Sequence, residues 1–103
     1  MIKVSLKYVD DLIESVDISG HAGFDLYGKD IVCSSVSSVV ITTVNAIVRL
    51  EPDSIDYRNS DGIFISVLNH NKVTDTLILN MVSLLEELEK QYKKNIIINK
   101  EVR

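Results

Sequence analysis

The chain has 103 residues, 46% hydrophobic and 25% charged, which is room for one domain and too apolar for a disordered chain. A formal net charge of −4 and a pI near 5.0 argue against nucleic acid as the main partner, because phosphate binding needs a basic surface. A single Cys excludes an intramolecular disulfide and a thiol-rich zinc cluster.

The first element follows from alternation. Ile2, Val4, Leu6 and Tyr8 alternate with Lys3, Ser5 and Lys7, the period of a half-buried strand over residues 2–9. The stretch has no continuous apolar run of signal-peptide type, and no segment is expected to supply the roughly 20 apolar residues that cross a bilayer. A soluble, cytoplasmic chain is the expectation. Asp10-Asp11 marks a turn, and a second strand, Leu12 to Ser19, completes a hairpin with the first.

Residues 31–50 contain neither Gly nor Pro. Their β-branched content lowers helix propensity, but twenty residues exceed a typical strand. Val36, Val40, Val44 and Ile47 would line one face, so the segment reads as a buried helix. Strands over Ser54 to Arg58 and Ile63 to Leu68 follow, joined through Ser60-Asp61-Gly62. Ile78, Met81, Leu85, Leu88 and Tyr92 give an amphipathic helix over 75–94, with Lys90, Lys93 and Lys94 in its last turns. Asn95 to Val102, with Ile96-Ile97-Ile98, is expected to be a well-buried final strand. The order is β-β-α-β-β-α-β, an α/β (α+β) two-layer sandwich with a mixed sheet and two helices on one face, one domain over 1–103.

Residues 20–30 do not read as scaffold. Gly20, Gly23 and Gly28 are three of the four glycines, and the connection is longer than a strand-to-helix link usually needs. Asp30 is placed to cap the helix, so Cys33 falls in the first turn, where the dipole favours thiolate. His21 stands at the other end of the loop and could serve as its base, with Asp30, Asp25 or a helix serine orienting the ring. The N–H groups of Cys33 and Ser34 are the expected oxyanion donors. Phe24, Leu26 and Tyr27 would line a cleft for apolar side chains or pack the loop against the body. The simpler alternatives are a buried core thiol and a backbone-bonded loop histidine. His70, in Asn69-His70-Asn71-Lys72, reads as solvated. The two histidines stand too far apart for a metal site, and no cofactor is expected.

Gly20-His21-Ala22-Gly23, with Gly28-Lys29-Asp30-Ile31-Val32-Cys33 and Ser34-Ser35-Val36-Ser37, closely resembles the signature of the ribosomal-processing cysteine protease family, Prp. The resemblance implies a homodimeric bacterial protease that removes the N-terminal extension of large-subunit ribosomal protein number twenty-seven. It implies Cys33 as nucleophile and His21 as general base, with the glycine-rich stretch as a mobile substrate loop. The family more often has alanines where this sequence has Ser34 and Ser35; Val36 and Ser37 keep the pattern. Two rival readings are a non-catalytic ribosome-associated binding module and a dimeric scaffold with Cys33 in its core. The first would need a basic face, which the net charge disfavours.

Overall fold

Asp10 and Asp11 both take positive φ, 53° and 65°. Two successive left-handed residues form a type I′ turn, whose twist matches that of paired strands, and Asp tolerates the conformation. The turn joins β1 (Ile2–Val9) to β2 (Leu12–Ser19) as an antiparallel hairpin. A computed structural model describes residues 1–20, 23 and 30–103, with the remaining elements α1 (Ile31–Leu50), β3 (Ile55–Asn59), β4 (Ile63–Val67), α2 (Lys72–Gln91) and β5 (Ile96–Val102). The predicted β-β-α-β-β-α-β order is the one observed.

The strands lie in the order β3-β4-β2-β1-β5. All neighbours are antiparallel except β1 and β5, so the sheet is mixed, as expected. One face carries Ile2, Val4, Leu6, Val16, Ile18, Ile65, Val67 and Ile96, each at most 5% exposed. Against it pack Val32, Val36, Val40, Val44 and Ile47 of α1 with Ile78, Met81, Val82 and Leu85 of α2. Burial of this set overrides the weak helix propensity of the valines in α1, since packing outweighs tenths of a kcal/mol per residue. The opposite face shows Lys3, Ser5, Asp17, Arg58 and Asn99 to solvent.

Three expectations are corrected. The second helix runs Lys72–Gln91, a turn earlier than 75–94. Asn71 caps it by accepting from the Thr74 N–H at 2.9 Å, and Tyr92 closes it, leaving Lys93 and Lys94 beyond its end. Strand β5 is not well buried. It forms the sheet edge, so Ile96 is 1% exposed but Ile97 39%, and the Glu89 carboxylate accepts the Ile98 N–H at 2.7 Å. Helix α1 is also long and apolar enough, by length and composition alone, to cross a membrane, contrary to the expectation of no such segment. In the fold its apolar stripe packs on the sheet.

His70 is at the surface, but its ring is held rather than simply solvated. One ring nitrogen lies 2.7 Å from Asp75 Oδ1 and the other 3.0 Å from Glu14 Oε2, tying the start of α2 to β2. The hydrogen bond to Asp75, then that to Glu14, raises the His70 pKa above its ordinary 6.5. The protonated ring is therefore the form that stabilises the fold. That stabilisation is complete below pH 6.5 and fades as pH rises through the higher folded-state value. His70→Gln is expected to cost about 0.5–1 kcal/mol at pH 5.5 and almost nothing at pH 9, checked by urea unfolding at both.

Candidate active site

The first turn of α1 is organised by Asp30. This residue is extended (φ −78°, ψ 104°) and 7% exposed, and its Oδ1 accepts the N–H groups of Val32 at 2.9 Å and Cys33 at 3.1 Å. Its carbonyl oxygen accepts the N–H and the hydroxyl of Ser34, each at 3.1 Å. The predicted helix cap is thus present, and it satisfies orphan donors of the first turn. It also corrects an expectation: the N–H groups of Cys33 and Ser34 are both engaged, so an oxyanion would have to compete with Asp30 for them.

Cys33 is partly exposed and packs against the core cluster. It opens on a cleft of about 410 Å³ at the end of the sheet. Ser37, one turn further along α1, lines the same cleft and is exposed. The end of β2 contributes Ile18, Ser19 and Gly20, and the turn between β3 and β4 contributes Asn59, Ser60, Gly62 and Ile63.

Two glycines make that closeness possible. Gly20 has φ 86°, and a Cβ there would run into the Met1 carbonyl oxygen. Gly62 has φ 130°, and its Cβ would sit 2.7 Å from the carbonyl oxygen of Ile18. Only glycine fits both the torsion and the space at each position.

Of the residues singled out from the sequence, the structure brings Gly20, Cys33 and Ser37 to one cleft, with Asp30 beneath Cys33 as the cap. Gly23 is described, with φ 68°. His21, Phe24, Asp25, Leu26, Tyr27 and Gly28 lie outside the described residues. The β3–β4 wall was missed by sequence reading. Its signal was present in Asn59, a polar residue at the core-facing parity of Ile55 and Tyr57. Among the described residues no cluster of three His, Cys, Asp or Glu could hold a metal ion.

A cleft thiol at the start of a helix, on a two-layer β-β-α-β-β-α-β sandwich, is the arrangement of a small cysteine protease. The chain belongs to the Prp family of cysteine proteases, whose model matches residues 1–97. It is 35% identical over 104 residues to the ribosomal processing cysteine protease Prp of Staphylococcus aureus, covering 96% of this chain and 98% of that protein. Its identity to the Bacillus subtilis protein of the same description is 32% over 106 residues, covering 93% and 94%. The S. aureus protease with a covalently linked product peptide superposes with a TM-score of 0.92 at 30% identity, over 98% of this chain and all of the other. The same protease with a substrate peptide gives 0.87 at 28% identity, with the same coverage.

Proposed function

We propose that this protease removes the N-terminal extension of large-subunit ribosomal protein number twenty-seven, with Cys33 as nucleophile and His21 as general base. The observation that carries the reading is the position of Cys33, the only cysteine of a cysteine protease, half-exposed on a cleft. Gly20, the residue immediately before His21 in the chain, lines that same cleft. The S. aureus relative binds a substrate peptide and a covalently linked product peptide.

In this mechanism His21 takes the Cys33 proton and the sulfur attacks the scissile carbonyl carbon. The tetrahedral intermediate collapses as His21 returns the proton to the amine nitrogen, the C–N bond breaks, and a thioester remains. Water, deprotonated by His21, then attacks the thioester. The carboxylic acid leaves and the thiol is restored.

The proposed setting is the cytoplasm, with the protein as a homodimer. The exposed Ile41 and Val48, seven residues apart on α1 and 46% and 45% exposed, favour association through that helix. A partly exposed Cys33 speaks against the core-thiol scaffold. The experiment is incubation of the purified protein with the extended ribosomal protein, followed by N-terminal sequencing of the product. Removal of the extension is the expected result; binding without cutting would favour the non-catalytic module.

A further inference from the structure

The sheet register carries an apolar row across the core face: Ile98 pairs with Val4, Val4 with Ile18, and Ile18 with Ile63. Directly paired residues share a face, so the next partner, Asn59 opposite Ile63, lies on the helix side as well. The alternation Ile55, Tyr57, Asn59 along β3 places it there independently.

Val4 is 0% and Ile18 5% exposed, Ile63 is half-buried, and Asn59 is exposed. A core row thus ends in a carboxamide where it opens on the cleft that holds Cys33. Asn is a poor strand former, and among the described residues no hydrogen bond fixes its side chain to the scaffold. The apolar part of the same cleft is Ile2, Ile18, Val36 and Ile63.

We infer that Asn59 is a substrate-positioning residue: its carboxamide hydrogen-bonds the backbone of the bound peptide across the cleft from Cys33. A carboxamide offers an N–H donor and a carbonyl acceptor, the same pair that a peptide unit presents. The adjacent isoleucines and Val36 would seat one apolar side chain of that peptide, so backbone and side chain are read together. Bonding to the backbone fixes where the chain lies without restricting its sequence at that position. This inference rests on the proteolytic reading of the cleft.

The test separates the two. Binding of a peptide spanning the extension junction is measured by fluorescence anisotropy on the uncleaving Cys33→Ala protein, with and without Asn59→Ala. The loss of one hydrogen bond is expected to raise Kd about 10-fold, with the thermal midpoint unchanged and Asn59→Gln recovering part of the affinity. A Kd within twofold of the Cys33→Ala parent overturns the role of Asn59, while cleavage by the unmutated protein still supports the protease reading. Cleavage that persists in Cys33→Ala overturns the reading of this cleft as a proteolytic site built on the Cys33 nucleophile, whatever Kd is found.

Discussion

Cys33→Ala is expected to lower kcat/KM for an extension-junction peptide by about 10⁴-fold or more, because the variant has no group that can carry the acyl intermediate. His21→Ala is expected to fall by a similar order, and the double variant hardly further, since a nucleophile and its base act as one unit. Fold stability provides the control. Cys33 is only partly buried where it packs on the core, so truncation to Ala should cost about 1 kcal/mol. A steady-state assay, with thermal unfolding of each variant, checks both halves.

The second large effect is on stability. Asp30→Ala removes the acceptor for two first-turn N–H groups, one of them fully buried at Val32. Loss of a cap costs about 1 kcal/mol, and leaving a buried donor unsatisfied costs at least as much again. The expected total is about 2 kcal/mol, or a fall of about 10 °C in Tm for a chain of this size. Asp30→Asn keeps a capping oxygen and should retain most of the stability. Its kcat/KM then isolates the carboxylate charge. A loss beyond about tenfold in that variant, with the fold intact, reports a role for the charge toward His21 rather than toward the helix.

The fold was legible where hydrophobic periodicity decided it. Alternation in residues 2–9 and the Asp-Asp turn located the first hairpin, and the spacing of Val36, Val40, Val44 and Ile47 outweighed poor helix propensity in α1. Boundaries failed where a cap rather than periodicity decided them. Asn71 starts α2 a turn early because its side chain bonds Thr74, which is 0% exposed and also donates its hydroxyl to Ser54 at 2.8 Å. Strand β5 misled because three consecutive isoleucines say nothing about whether a strand is central or at the edge. That depends on its parallel pairing with β1, a contact between opposite ends of the chain.

The candidate site was legible on the α1 side, while the β3–β4 wall left only the misplaced polarity of Asn59 as a local sign. Asp30 and Cys33 are three residues apart, so their capping geometry follows from local rules. Asn59 and Gly62 reach the cleft only because β4 pairs with β2, a juxtaposition that no short-range pattern encodes. The engaged N–H groups of Cys33 and Ser34 show the same lesson at smaller scale. A cap and an oxyanion hole draw on the same donors, and the sequence alone does not say which takes them.

The central claim is that the peptide bond is broken through a thioester on Cys33. Acid quenching during turnover, followed by proteolytic mapping and mass spectrometry, tests it most directly. The expected result is a mass increase equal to the acyl fragment of the cleaved peptide, found on the segment that contains Cys33 and released by hydroxylamine. Turnover with the acyl fragment attached elsewhere, or undiminished cleavage by Cys33→Ala, would contradict it.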